Sequence, residues 1–225
     1  MIRAITLDLD DTLWAVAPAI MRAEQAVDDY LARHCPATRE RFPLPAMRAL
    51  REAIAARHPD LAHDFTTQRL LCLRQALSES GDDPAHAEPA FEVFFFERNR
   101  VELYADVHHG LPALAGRFPL AALTNGNADL ARIGLAGHFR FSLGAREHGA
   151  PKPDPSIFLA ACERLGLPPA AVLHVGDDPE LDVAGAQRAG LRACWINRRA
   201  EPWPEALAAP DFIARDLPEL IAHLN

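Results

Sequence analysis

The 225-residue sequence predicts an α/β fold, with a parallel sheet covered by helices on both faces and a helical domain inserted after the first strand. Three observations predict it. An apolar, β-branched run opens the chain at 2–7 and stops at acidic residues, as a buried strand does. Through the C-terminal half, short apolar runs alternate with helical stretches, two of which end at Gly166 and Gly190, the residue type expected just past a helix. The connection after the first run extends from about residue 15 to 105, far beyond the dozen or so residues that a parallel crossover requires. The result is a Rossmann-like three-layer core at 1–14 and 106–225, with a helical domain at 15–105.

After the run at 2–7, the strand candidates are 120–123, 139–143, 171–175, 191–195 and 212–214. Helices are expected at 156–165 and 180–189. Within the insert, Leu70, Leu73 and Leu77 with Leu71 form one apolar stripe, and Phe91, Phe94 and Phe95 form another, both at helical spacing. These are packing faces, because large aromatic and aliphatic side chains at that spacing bury against neighbouring helices. Pro36, Pro43, Pro45, Pro59, Pro84 and Pro89 mark the turns between helices.

Composition narrows the function. Hydrophobic residues make up 49% and charged residues 24%, an ordinary globular balance that excludes a disordered chain. The net charge of −8 supplies no basic field for nucleic acid or an anionic membrane. Cys35, Cys72, Cys162 and Cys194 are widely spaced with no C-x-x-C pair, which fits buried free thiols rather than zinc or disulfides. The start of the chain lacks a signal peptide, and the longest apolar run, 13–21, is far short of the ~20 residues of a membrane span. A soluble, cytoplasmic protein is expected.

Four sets of residues carry chemistry. Asp8-Leu9-Asp10-Asp11-Thr12 follows the first strand, and strand alternation would point Asp8 and Asp10 into one site with Leu9 toward the core. Adjacent carboxylates repel unless a cation or a shared proton compensates. Gly176-Asp177-Asp178-Pro179-Glu180-Leu181-Asp182 follows the strand at 171–175. There Asp178 suits a helix N-cap, Pro179 a first turn, and Asp182 the acidic preference of a helix start. Asp177, together with Asp8 and the Asp10 main-chain carbonyl, offers hard oxygen ligands for Mg²⁺. Thr124-Asn125-Gly126-Asn127 at another strand end offers a hydroxyl, an amide and backbone N–H groups to phosphate oxygens. Lys152, between Pro151 and Pro153, is held out of any helix among these acids.

In this order and combination, the Asp8–Thr12 motif, Thr124, Lys152 and Gly176-Asp177 followed by Asp182 resemble the haloacid dehalogenase superfamily. The insert after the first motif is similar to that family's first-type helical cap. The resemblance implies a phosphatase acting on a small phosphate monoester. Asp8 would be the nucleophile that forms an aspartyl-phosphate, and Asp10 the acid and then the base. Mg²⁺ would lie on Asp8, Asp10 and Asp177, Thr124 would bind a phosphoryl oxygen, and Lys152 would stabilise negative charge. Thr12, Asn125 and Gly126 would contact substrate, while Asp178 or Asp182 would orient Lys152 or a metal-bound water. Dehalogenating members lack the second aspartate of the first motif, so Asp10 favours phosphoryl chemistry, with phosphomutase the alternative.

The segments Thr124-Asn125-Gly126-Asn127-Ala128, His174-Val175-Gly176-Asp177-Asp178 and Ala193-Cys194-Trp195-Ile196, with Trp14 after the first motif, look like bacterial phosphatases of flavin mononucleotide and of the phosphorylated ribitylaminouracil. Such a substrate, or a sugar phosphate, is therefore expected. Outside the motifs, Asp106, His108 and His109 read as a polar turn, and His174 as a hydrogen-bonded core histidine. His148 and Arg146 lie in the loop before Lys152, close enough to be candidates for substrate contact. Trp14 reads as core packing, with stacking on a substrate ring the alternative. A phospho-receiver domain is disfavoured by the long insert, and a non-catalytic interaction protein by four intact motifs.

Overall fold

The computed structural model describes residues 1–224. Six strands form one fully parallel sheet: β1 (Ala4–Leu7), β2 (Leu120–Thr124), β3 (Phe141–Gly144), β4 (Val172–Gly176), β5 (Arg192–Ile196) and β6 (Phe212–Ala214). Their spatial order is β3-β2-β1-β4-β5-β6. All six expected strands are present, with ends shifted by up to two residues. The first strand is shorter than its apolar run because pairing with β4 begins only at Ala4. β1, β2 and β4 are buried along their whole length, as a sheet covered on both faces requires. Successive connections run outward on one side of β1 through β2 and β3, then on the other through β4, β5 and β6. The carboxyl ends of β1 and its two neighbours therefore flank the point where the winding reverses, the usual ligand position in such sheets.

The chain separates into two compact units, residues 1–15 with 102–225, and residues 16–101. In the sheet unit, Asp154 caps the helix Pro155–Leu165 by accepting from the Ser156 N–H, and Gly166 ends it at φ 65°. The expected helix at 180–189 begins differently. Pro179–Ala184 is a wide π turn in which the N–H groups of Asp182 and Val183 both reach the Asp178 carbonyl, followed by the α turn Gly185–Arg188. The widening accompanies an Asp182 side chain turned inward, beneath Gly176. A Cβ at residue 176 would lie 2.2 Å from the Asp182 carboxyl carbon, so only glycine fits there.

The second unit contains the helices Val16–His34, Pro36–Arg41, Leu44–Arg57, Phe65–Ser80 and Ala87–Arg98. Leu73, Leu77, Phe91 and Phe94 pack with Ala23, Val27 and Leu31 into its core, with Leu70 and Phe95 at the margin, so both apolar stripes are packing faces. The prolines stand at helix starts and in the turns between them. All four cysteines are buried and form no disulfide. Among the described residues no helix is long and apolar enough to cross a membrane.

Glu24 is a buried carboxylate in this unit, gripped by Arg48 at 2.6 Å and Arg51 at 2.7 Å. Burial alone would raise its pKa, but the two arginines override it and hold it below the ordinary value of 4.5. Its contribution to stability is thus complete above the unfolded-state value and is lost as pH falls through the lower folded-state value. The gap in unfolding free energy between the wild type and Glu24→Gln should be constant from about pH 7 to about pH 5 and narrow on further acidification. Urea titrations across that range measure it, and a gap unchanged down to about pH 3 would contradict the ion-pair account.

Candidate active site

The carboxyl ends of β1, β2 and β4 bring Asp8, Thr124 and Asp177 to one edge of the sheet, with Lys152 reaching the same place from the loop after β3. Asp8 is anchored by its own backbone, whose N–H donates to the Val175 carbonyl at 2.9 Å. Its carboxylate is buried and meets the Lys152 ammonium at 2.5 Å. The same ammonium donates to Asp182 at 2.6 Å, so one buried cation serves two buried acids. Burial alone would lower the Lys152 pKa, yet Asp182 and Asp8 hold it above the ordinary lysine range.

Asp182 is saturated with donors. Besides Lys152, it accepts from His174 Nε2 at 3.1 Å and from the Asp178 N–H at 3.0 Å. Burial opposes its charge, but Lys152 and His174 outweigh burial and keep the carboxyl well below the usual range. His174 is driven the other way by burial, so the imidazole is neutral. Because an ionised Asp182 only accepts, Nε2 carries the proton, and Nδ1 accepts from the Thr6 hydroxyl at 2.9 Å. The expected core histidine is thus also the support behind Asp182. Of the two acids expected to orient Lys152, Asp182 touches it, whereas Asp178 caps the following turn through the N–H groups of Glu180 and Leu181.

Asp177 is far less compensated. One of its oxygens accepts from the Thr12 hydroxyl at 3.1 Å. Burial, followed by the charges of Asp182 and Asp11, pushes its carboxyl up to about 7. Asp8 is also raised well above its usual range, by burial and by Asp182 and Asp177, against the pull of Lys152. Oxygens of Asp8, Asp177 and Asp182 all lie within 4.8 Å of one another. Three buried or half-buried carboxylates with one ammonium are a hard-oxygen donor set short of positive charge, which fits a divalent cation. Asp182 already accepts three hydrogen bonds, so Asp8 and Asp177 keep more of their oxygens' acceptor capacity for such an ion.

Several expected residues sit differently from the simple strand picture. β1 ends at Leu7, so Asp8 and Asp10 both lie beyond the paired strand, with Asp10 in the turn that follows. Asp11 stands at φ 59°, and Asp10 accepts from the Trp14 indole N–H at 2.8 Å. Trp14 is fully buried, which leaves no ring face for stacking on a ligand. Thr12, expected to touch substrate, is buried with its hydroxyl between Asp177 and Asp8, the latter at 3.4 Å. Asn125 turns to the protein as well: its amide oxygen accepts from the Lys152 N–H at 2.7 Å, and its amide nitrogen donates to the Lys152 carbonyl at 2.9 Å. It locks the lysine loop onto the tip of β2. The Thr124 hydroxyl accepts from the Gly126 N–H at 3.0 Å, which shapes the same tip.

His148 bonds Ser156 at 2.8 Å, and Arg146, His108 and His109 are exposed. Asp106 is no metal ligand but a partner of Arg198, a residue that no motif singles out. Trp195, singled out only as part of the segment Ala193-Cys194-Trp195-Ile196 and given no role there, donates its indole N–H to the Asp177 carbonyl at 2.7 Å. The signal for that role was its place on β5 opposite Gly176, the last residue of β4 before Asp177.

A family model for haloacid dehalogenase-like hydrolases matches residues 2–190. The chain is 38% identical over 199 residues to the 5-amino-6-(5-phospho-D-ribitylamino)uracil phosphatase of Escherichia coli K12, covering 87% of this chain and 83% of that protein. It is 41% identical over 153 residues to phosphoserine phosphatase of Thermus thermophilus, covering 65% of this chain and 61% of that one. Among solved structures, that of 2-haloacid dehalogenase from Pseudomonas syringae pv. tomato matches with a TM-score of 0.92 and 40% identity over the full length of both chains. The sheet topology, the four motifs and these relatives agree: the chain belongs to the haloacid dehalogenase-like hydrolases.

Proposed function

We propose that this protein is a Mg²⁺-dependent phosphatase that hydrolyses a small phosphate monoester through an aspartyl-phosphate on Asp8. The observation that carries the reading is the pairing of a buried Asp8 on Lys152 with a second carboxylate, Asp10, held by Trp14 in the turn that follows. An alkoxide leaving group needs a proton, and Asp10 is the group to give it. A halide leaves without one, so carbon–halogen cleavage assigns no work to Asp10, whatever the neighbouring structure from Pseudomonas syringae is called.

In this mechanism an Asp8 oxygen attacks phosphorus and the ester P–O bond breaks as Asp10 protonates the departing oxygen. Water then attacks the phosphorylated Asp8, with Asp10 taking its proton, and inorganic phosphate leaves as the carboxylate is restored. Lys152 stays charged throughout, because Asp182 holds it, and offsets negative charge at Asp8. The Thr124 hydroxyl, its oxygen held by the Gly126 N–H, donates to a phosphoryl oxygen. Asp8, Asp177 and the Asp10 main-chain carbonyl would hold the divalent cation, which would supply the charge that lets an anionic ester approach an acidic site. The helical unit at 16–101 is the cap, in which substrate choice resides. The Escherichia coli relative supports the ribitylaminouracil phosphate as the substrate, and flavin mononucleotide, with the same phosphorylated ribityl chain, is the second ester of that class. A phosphate-release panel of these two esters, sugar phosphates and nucleotides tests this; equal, low rates on all of them would remove the substrate assignment.

Asp8→Asn should lower kcat for every monoester to background while leaving the fold intact, as circular dichroism would show. Turnover near the wild-type rate would overturn the mechanism. Removal of divalent ions with a chelator should abolish phosphate release and added Mg²⁺ should restore it. Asp10→Asn should cost about 10² to 10⁴ in kcat on alkyl esters, the usual range for a positioned acid and base.

A further inference from the structure

Arg198 lies in the loop after β5, outside every motif. Its guanidinium donates to Asp106 through Nη1 at 2.9 Å and Nη2 at 3.1 Å. It also donates to the Thr12 carbonyl through Nη2 at 2.7 Å and Nε at 3.1 Å. The face of the fork rests on the Tyr104 ring, 4.1 Å from its centroid. Asp106 in turn accepts the Leu217 N–H at 3.0 Å, so the carboxylate that orients Arg198 is tied to the last helix, Leu217–His223. Asp106 and Arg198 are both largely buried, each with 14% of its side chain exposed. A planar fork satisfied on both edges and stacked on a ring is a rigid device, unlike an exposed ion pair.

The carbonyl it grips belongs to the turn that carries Asp10. That turn closes on itself through Asp11 N–H to the Trp14 carbonyl at 2.7 Å and Leu13 N–H to the Leu9 carbonyl at 2.8 Å. Neither bond uses the Thr12 carbonyl, which points away to Arg198. The turn also contains the left-handed Asp11, a conformation that persists where the surroundings enforce it. Asp8 differs, since its backbone is secured by the sheet through Val175. Loss of Arg198 would therefore strand a buried carbonyl in the turn and loosen Asp10 while Asp8 stays in register.

We propose that Arg198, set by Asp106 and Tyr104, is a positioning residue for proton transfer at Asp10. The inference rests on the phosphatase reading, and leaving-group dependence tests it. For the full-length protein with Mg²⁺, kcat/KM is measured on glycerol phosphate, whose alkoxide needs a proton, and on p-nitrophenyl phosphate, whose phenolate scarcely does. Arg198→Met should lower kcat/KM for the alkyl ester by about tenfold or more and for the p-nitrophenyl ester by no more than about threefold. Arg198→Lys, which keeps the charge but loses the fork, should fall between. Asp106→Asn should show the same selective loss at smaller size, and it reads the proposal should Arg198→Met fail to fold. Equal losses on both esters, or no loss on either, would overturn it. A wild type that releases phosphate neither from these two esters nor from the ribityl, sugar and nucleotide phosphates of the panel would instead overturn the phosphatase reading itself.

Discussion

The Lys152 ammonium, shared between the buried carboxylates of Asp8 and Asp182, is the interaction from which the rest of the site is organised. Removing one partner of a buried ion pair typically costs about 3–5 kcal/mol, because an uncompensated charge stays behind. Each neighbour can be read as keeping that ammonium in place. Asn125 grips the Lys152 backbone with both ends of its amide, so the lysine cannot shift along its loop. Asp182 can lie under the β4 tip only because residue 176 has no side chain, and His174 with the Asp178 N–H fixes its rotation. Four segments far apart in sequence are thus tied to one charge.

The sheet makes this gathering possible. In a parallel sheet every strand presents its carboxyl end on the same edge, and the reversal of winding at β1 leaves that edge open between outgoing connections. β1 is central, with β2 on one side and β4 on the other, so Asp8 has Thr124 and Asp177 at flanking strand tips without any long reach. A helical unit can be inserted after β1 because the chain at that point has already left the sheet, and the turn at Asp10 to Trp14 closes on its own hydrogen bonds before the insert begins.

What the sequence disclosed follows from the range of the interactions involved. Strands, stripes and helix ends were legible because they depend on alternation, period and capping, all local properties. Asp8, Lys152 and Asp177 were legible because carboxylates and a proline-flanked lysine at strand ends have few other uses. The orientation of side chains was not. Thr12 and Asn125 have the right groups for a ligand, yet one turns to Asp177 and the other to the Lys152 backbone, partners more than 25 residues away. Strand alternation has no hold on Asp8 and Asp10, because pairing stops at Leu7 and both lie in the chain beyond it. Arg198 had no local mark at all, since Arg198-Arg199 after a strand looks like any solvated pair, and only the tertiary fold shows Asp106 and the Thr12 carbonyl on either side of it.

The charge of the chain gains meaning from the same geometry. A net charge of −8 would repel an anionic ester at long range, and the site deepens that repulsion with Asp8, Asp177 and Asp182 against Lys152 alone. Three carboxylates against one ammonium leave the cluster short of positive charge, a deficit that a divalent cation would reduce. Short-range compensation of this kind survives salt, because buried charges are screened far less than exposed ones. An acidic composition disfavours long anionic polymers, which need a broad basic face, more than a small dianion that needs only one compensated point.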